Sequence, residues 1–270
     1  MAQTDLCVVA GAKFLSKRTE LIRLQYDVTV NGVHCIAHHL SLSASTPDAD
    51  SAKCYEECKR LSRLRHPNVL QHLGVHYGTG GHRYVLTEAL YTTLNVFLAS
   101  ATDGPISVEV SILRDVSRGL QYLRSQTPAI VHRELIAQNV HLSFDMRAKI
   151  AVVGVSMPCD VTQITNADIA VYLPPEVLLS NSASLSDTEQ YRTVSFGFCD
   201  TAVSLPLEPL HDTKWDIYSF GVLLAYTALH KLPPFKTPLI VWMNAMGRTH
   251  PLYSLACKCL SDCPAGRLPI

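Results

Sequence analysis

The 270-residue sequence lacks the features that would indicate a membrane, secreted or nucleic-acid-binding protein. Its 23 basic and 23 acidic side chains cancel, so no general charge attracts nucleic acid or an anionic membrane. Its longest apolar run, residues 218–229, is too short to cross a bilayer. The apolar residues near the start follow Asp5 and no basic residue, which argues against a secretory signal. We therefore expect a cytoplasmic protein that binds no nucleic acid and does not insert into a membrane.

Cysteine occurs nine times, but the sequence has no CxxC pair. Cys257, Cys259 and Cys263 cluster near the end of the chain, and a zinc site could be imagined there with His250. Small buried thiols in a reducing compartment explain the same residues without a metal. The sequence therefore predicts no metal site.

The spacing of apolar residues predicts a strand-rich first part. Residues 24–30 alternate between apolar and polar side chains, and Asn31 with Gly32 favours a two-residue hairpin turn into a return strand at 33–42. This first lobe covers about residues 1–88, and its other predicted elements are a helix at 54–64 and strands at 69–77 and 82–88.

The second part has the wider apolar spacing of helices. A helix following Ser107 presents one apolar stripe, and a helix at 215–229 is apolar nearly all round, which indicates burial on every side. Residues 180–213 are rich in Ser, Thr and Asp without periodicity and are predicted to be a surface insertion. The predicted fold class is α+β, as one domain with a β-rich N-lobe, a connection at about 88–93 and a mostly helical C-lobe over about 94–270.

Six segments occur along the chain in an order typical of one superfamily. They are LRHPNVLQHLG (64–74), YVLTEAL (84–90), SRGLQYLRSQTPAIVHRE (117–134), LPPEVL (173–178), WDIYSFGVLL (215–224) and CLSDCPAGRLP (259–269). Together they resemble the eukaryotic protein kinase superfamily, and most closely its tyrosine-kinase and tyrosine-kinase-like branches. The resemblance covers nearly the whole chain and implies a bilobal kinase-like fold. The chain ends before or within the family's last helix, so we expect either a shortened domain or part of a longer protein with flanking domains.

The resemblance implies a nucleotide cleft whose family-specific phosphate contacts are altered here. The family's phosphate loop is rich in glycine, whereas residues 15–28 contain none, so side chains would occupy the space that phosphates need. His38 stands in the place of the strand lysine, or His39 does if the strand is shifted by one, and a neutral imidazole anchors phosphate poorly. The lysine's usual partner is retained as Glu57, which could bond to His38. The cleft residues implied by the resemblance are His38, Glu57, Thr87 as gatekeeper, Glu88, Leu90 and Leu142.

The metal-binding positions implied by the resemblance also differ. Val152, Val153 and Gly154 stand where the family has Asp-Phe-Gly, and a valine cannot coordinate Mg²⁺, which takes oxygen ligands. Asn139 stands in the place of the second metal ligand, but one neutral amide does not hold Mg²⁺ alone. We therefore expect no cofactor, with ATP bound without Mg²⁺ as the open alternative.

The catalytic loop keeps its structural residues and changes its chemical ones. Glu134 replaces the family's catalytic aspartate with a side chain that is one methylene longer. Ile136 and Gln138 stand where serine/threonine kinases carry a lysine or tyrosine kinases an arginine. A misplacement of about 1 Å can cost roughly 100-fold in rate. The resemblance retains His132, Arg133 and Asp216, which build the loop in the family. It also implies a structural pair between Glu176 and Arg267.

These changes favour a pseudokinase, which is a kinase-like domain that binds protein partners and transfers no phosphate. One alternative is a divergent, weakly active protein kinase in which Lys17, Arg18, Glu134 and Asn139 do the work. Another is a sensor that binds ATP without metal and changes conformation. The sequence alone identifies no specific partner or substrate.

Overall fold

A five-stranded antiparallel sheet forms the first part of the computed structural model, which describes residues 8–18, 25–40, 58–79, 82–100, 106–152, 171–174, 209–232, 239–261 and 263–269. The predicted hairpin is confirmed, because Asn31 and Gly32 have φ angles of 51° and 80°, the left-handed values that such a turn requires. The strands lie in the order β1-β2-β3-β5-β4 and are β1 (Lys13–Arg18), β2 (Gln25–Val30), β3 (Val33–Leu40), β4 (His72–Tyr77) and β5 (Arg83–Glu88).

The helix predicted at 54–64 ends earlier than expected. Residues 58–61 are helical, whereas Leu64 follows the helix in a turn in which its amide donates to the Leu61 carbonyl at 3.1 Å. The Arg65 amide is also drawn away from helical bonding, since it donates to the Tyr122 hydroxyl at 3.0 Å. Leu64 is buried all the same, so the apolar spacing predicted its burial correctly and its secondary structure wrongly.

A second, three-stranded sheet and a set of helices follow the first sheet. The small sheet has the order β6-β7-β8, with β6 (Thr92–Thr93), β7 (Val140–Leu142) and β8 (Ala148–Ile150). The helix predicted to follow Ser107 is present, but it begins at Ile106, so Ser107 lies inside its first turn and not before it. Its apolar stripe is buried in the main core, as predicted. The helices are α1 (Leu94–Ser100), α2 (Ile106–Arg124), α3 (Pro209–Leu229), α4 (Leu239–Met246) and α5 (Tyr253–Cys259), with short 3₁₀ turns at Ala137–Asn139 and Pro264–Gly266.

The central helix α3 is buried on nearly all sides, as predicted. It starts at Pro209, so the last residues of the insertion predicted at 180–213 belong to this helix; residues 180–208 lie outside the described residues. Polar residues in the first turn interrupt the apolar spacing from which a helix is predicted, although proline is a favourable first residue of a helix. Across the described ranges, no helix combines the length and apolarity needed to cross a bilayer.

Backbone bonds fasten the segment before β4 to the small sheet. The Leu70 amide donates to the Ile150 carbonyl at 2.9 Å, and the Ile150 amide donates to the Asn68 carbonyl at 3.0 Å. Gly119 on α2 permits this approach, because a Cβ atom there would lie 2.6 Å from the Asn68 carbonyl oxygen. The α+β bilobal fold is therefore confirmed, while the lobe limits and the single-domain assignment stay predictions.

Candidate functional site

The loop that precedes β7 is fixed by a carboxylate on α3. Asp216 is buried, and its two oxygens accept the backbone amides of His132 and Arg133, both at 2.8 Å. Arg133 has a φ of 60°, an uncommon value for a residue with a side chain. The two bonds hold this strained backbone in place, and the contact expected from the resemblance between Asp216 and the loop is present.

Asn139 joins the same loop to the strand behind it. Its side-chain amide donates to the Glu134 carbonyl at 2.9 Å, and its own carbonyl accepts the Ala151 amide at 2.8 Å. The Glu134 side chain is buried. Glu134 and Asn139, predicted as weak catalytic residues, are therefore close together, but Asn139 bonds to the backbone of the loop and supports its shape.

The position of the family's metal-binding aspartate lies in the apolar core. Val152 is 0% exposed and belongs to the same cluster of buried side chains as Ile136. Mg²⁺ requires oxygen ligands, and within the described ranges no group of three or more His, Cys, Asp or Glu side chains could hold a metal ion. Val153 and Gly154 lie outside the described residues. The residues present at this position do not fit a magnesium-bound nucleotide.

The strand histidine is bonded to the gatekeeper position. His38 and Thr87 are both buried and share a hydrogen bond of 2.9 Å between Nε2 and Oγ1. The register places them on the same face of the sheet, since Ile36 pairs with Thr87 and His38 lies two residues further along β3. His39 lies on the opposite face and bonds to His82, with 3.1 Å between the two ring nitrogens. His38 therefore faces the gatekeeper position and His39 does not, while the assignment of the lysine position to His38 stays a prediction. Glu57, the predicted partner of His38, lies outside the described residues.

A second buried histidine, His72, extends this polar row across the sheet. It pairs with Thr87 in the register of β4 and β5, so the two side chains share a face. Burial lowers the pKa of His72 to about 4, against a smaller opposite effect of the Leu61 carbonyl, and the ring is therefore neutral near pH 7. The sequence pattern does not mark His72 as a site residue, because alternation within a strand does not determine which residue of the neighbouring strand it faces.

At the connection between the lobes, the Glu88 carboxylate is held by two groups. The Lys149 ammonium lies 2.7 and 2.8 Å from the two Glu88 oxygens, and the backbone amide of Gln71 donates to Oε1 at 2.8 Å. Two other predicted cleft residues lie in and next to this connection. Leu142 is fully buried, and its carbonyl accepts the Tyr91 amide at 3.0 Å; Leu90 is half-buried. Sequence patterns do not reveal the contact between Lys149 and Glu88, because the two residues lie 61 positions apart.

Arg267 is almost completely buried beside α3. Its Nε donates to the Ser261 carbonyl at 2.8 Å, and its guanidinium carbon lies 5.0 Å from the centre of the Tyr218 ring. Glu176, its predicted partner, lies outside the described residues. The buried arginine is thus a structural group between α3 and the end of the chain, and the pairing with Glu176 stays a prediction.

Comparison with known proteins agrees with this geometry. A family profile described as protein tyrosine and serine/threonine kinase matches residues 36–236. The chain is 30% identical over 196 residues to the serine/threonine-protein kinase PLK4 of Drosophila grimshawi, an alignment that covers 70% of this chain and 22% of that protein. It is 26% identical over 194 residues to human receptor-interacting serine/threonine-protein kinase 1, covering 66% and 26% of the two chains.

A plant protein shows a similar relationship. The serine/threonine/tyrosine-protein kinase HT1 of Arabidopsis thaliana is 29% identical over 171 residues, which is 62% of this chain and 36% of that protein. The chain therefore spans well under half the length of these relatives.

Proposed function

Because the chain belongs to the protein tyrosine and serine/threonine kinase family, we propose that it is a kinase-like domain that transfers no phosphate and serves protein partners as a scaffold or allosteric module. The observation that supports this most strongly is the burial of Val152 in the apolar core, at the position where the family places its metal-binding carboxylate. Phosphoryl transfer depends on metal ions to neutralise the charge of the phosphates, and a valine offers them no oxygen.

Two further contacts support the same proposal. His38, which we place in the position of the lysine that contacts phosphates, bonds through Nε2 to the Thr87 hydroxyl at 2.9 Å. The amide of Asn139 donates to the Glu134 carbonyl and so is directed at the loop backbone. Both side chains stabilise the shape of the cleft.

A divergent, weakly active protein kinase is the alternative function. The loop geometry favours it, since Asp216 still holds the amides of His132 and Arg133 and a carboxyl group is present at Glu134. Two of the relatives compared above are named as serine/threonine-protein kinases, which is compatible with retained activity. A sensor that binds ATP without metal is a further form of this alternative.

A phosphate-transfer assay with radiolabelled ATP separates the two functions. We expect no labelling of the chain or of a general protein substrate above the level of the Glu134→Gln variant, which keeps the size of the side chain. Transfer by the natural sequence that is lost in Glu134→Gln, with an unchanged melting temperature, would show a working catalytic loop. Asn139→Ala serves as a second variant, interpreted only if its melting temperature shows that the loop is intact.

We also place the protein in the cytoplasm. No disulfide joins the described cysteines, which suits a reducing compartment. They are Cys35, Cys58, Cys257, Cys259 and Cys263. Fluorescence microscopy of the tagged full-length protein tests this location, and staining of the cell surface or of secretory vesicles would contradict it.

A further inference from the structure

A row of exposed arginines lies on the side of the molecule formed by α2 and the turn before β4. Arg114 and Arg118 are one helical turn apart on α2, and Arg63 and Arg65 lie in the turn after residues 58–61. All four side chains are exposed. We call these four residues the arginine ridge.

Contacts around Tyr122 join the two halves of the ridge. Tyr122 lies one further turn along α2 from Arg118, its hydroxyl accepts the Arg65 amide at 3.0 Å, and its ring stacks on His66 at 4.7 Å. Arg118 is also close enough to His66 to help burial lower the pKa of that imidazole. These contacts bring Arg65 and Arg118 to one surface, which Arg114 extends by one turn along α2 and Arg63 extends two residues before Arg65.

Within the described part of the chain, little negative charge balances this surface. Asp115 lies beside Arg118, but Arg147 already binds it at 2.9 and 3.1 Å and the Ala148 amide donates to it at 3.3 Å. Arg118 lies 3.8 Å from Asp115 with 52% of its side chain exposed. Among the described residues, no other carboxylate lies within ion-pair distance of the ridge. Within the described ranges, Arg63 makes no side-chain bond and the Arg114 guanidinium donates to the Ser111 hydroxyl alone, at 3.1 Å. One Nη of Arg65 donates to the backbone carbonyls of Ser62 and Leu64, which leaves its other nitrogens for a partner.

Two apolar side chains continue the same face of α2. Ile106 and Val110 precede Arg114 at intervals of four residues and are 42% and 40% exposed. A partner that covers the whole face must therefore supply both anionic groups and an apolar end. A protein segment has both, whereas the phosphate backbone of a nucleic acid offers no apolar surface to bury. Two apolar residues are also too few to insert this packed helix into a membrane.

We propose that the arginine ridge, with Ile106 and Val110, is the docking surface for an acidic segment of a protein partner. This proposal rests on the scaffold function proposed above. The guanidinium groups suit carboxylates, which they bind in pairs of hydrogen bonds. Arg114 and Arg118 are about 6 Å apart along the helix axis. Alternate residues of an extended peptide are about 6.6 Å apart, so acidic residues at every second position match this spacing.

Fluorescence anisotropy with synthetic peptides tests the docking surface. The probe is a fluorescein-labelled peptide of alternating Glu and Ser with a pair of leucines at one end, and its Gln-for-Glu analogue is the neutral control. We expect the acidic peptide to bind and the neutral one to bind at least about tenfold more weakly, with both differences reduced at high salt. Equal binding of the two peptides would overturn the proposal, and so would tighter binding of an oligonucleotide of equal charge or of anionic lipid vesicles.

Charge-reversal variants of the arginine ridge test whether the peptide binds there. The double variant Arg63→Glu/Arg114→Glu changes side chains that have no structural ion pair, so the fold should be retained. Arg248→Glu/Lys258→Glu is the matched control, because it makes the same change in net charge at two other exposed positions. We expect about a tenfold loss of peptide affinity in the first variant alone; an equal loss in the control would show unspecific attraction and overturn the proposal. The phosphate-transfer assay measures the inactivity separately, so the two proposals can fail independently.

Discussion

The ammonium group of Lys149 on β8 lies 2.7 and 2.8 Å from the two carboxylate oxygens of Glu88, at the end of β5. Both side chains are about three-quarters buried, with 21% and 26% exposure, so solvent screens the pair only partly. The contact connects the large sheet to the small one, next to the chain segment that joins the lobes. Lys149 and Glu88 thus form an ion pair that joins the two sheets beside the candidate cleft.

The ion pair predicts that the protein loses stability when Lys149 is replaced. Lys149→Met keeps the length and apolar character of the side chain and leaves the Glu88 carboxylate with the Gln71 amide as its described donor. We expect the free energy of unfolding to fall by about 1–2 kcal/mol, as measured by urea denaturation. Lys231→Met, at an exposed position, is the control and should change the value by less than about 0.5 kcal/mol. Equal effects of the two variants would show that the pair adds nothing to stability.

The contact between Asp216 and the loop predicts a larger effect. In Asp216→Asn, one of the two acceptors for the His132 and Arg133 amides becomes a donor that faces another donor. We expect a loss of about 2–4 kcal/mol in the free energy of unfolding, because the site is buried and the backbone at Arg133 is strained. Asp145→Asn, on the exposed turn between β7 and β8, should cost far less. A small effect at Asp216 would mean that the loop holds its shape without this carboxylate.

Val152 provides a test of whether the metal position has become part of the core. Restoring the family's residue with Val152→Asp places a carboxylate in a fully buried apolar cluster. We expect the free energy of unfolding near pH 7 to fall by about 3 kcal/mol or more. Val241→Asp is the control, since that valine is 55% exposed. If Val152→Asp is as stable as the natural protein, then water reaches this position and the site is still open to a metal ion.

His72 predicts a specific loss of stability in mild acid. Its pKa is lowered to about 4 in the folded protein, below the usual value of 6.5, so the unfolded state binds the proton more readily. The contribution of this residue is complete above about pH 6.5 and decreases as the pH falls towards about 4. From about pH 7 to about pH 5 the expected loss is about 2 kcal/mol.

A comparison with His72→Leu isolates this contribution from the other titrating groups. Urea denaturation at several pH values should show a smaller loss of stability in the variant than in the natural protein over this interval. Parallel curves for the two proteins would show that His72 takes up no proton on unfolding.

Local chemistry explains which features could be predicted from the sequence. The hairpin at Asn31 and Gly32 and the buried face of α2 follow from residues that are adjacent or one turn apart. The first turn of α3 was missed because its residues are polar and its start depends on Pro209. Two contacts join residues that are far apart in the chain. The hydrogen bond between His38 and Thr87 spans 49 positions, and the ion pair between Lys149 and Glu88 spans 61. Only the sheet register brings these residues together.

Titration of the purified chain with ATP, in the presence and absence of Mg²⁺, tests most directly the proposed loss of the magnesium-nucleotide site, on which the loss of catalysis depends. Any ligand that binds the folded state raises the melting temperature, and a family member of known activity serves as the positive control. We predict that ATP with Mg²⁺ leaves the melting temperature unchanged, because Val152 and Asn139 offer no magnesium site. A rise that depends on Mg²⁺ would contradict this prediction and favour an active kinase, while a rise without Mg²⁺ would favour the ATP sensor.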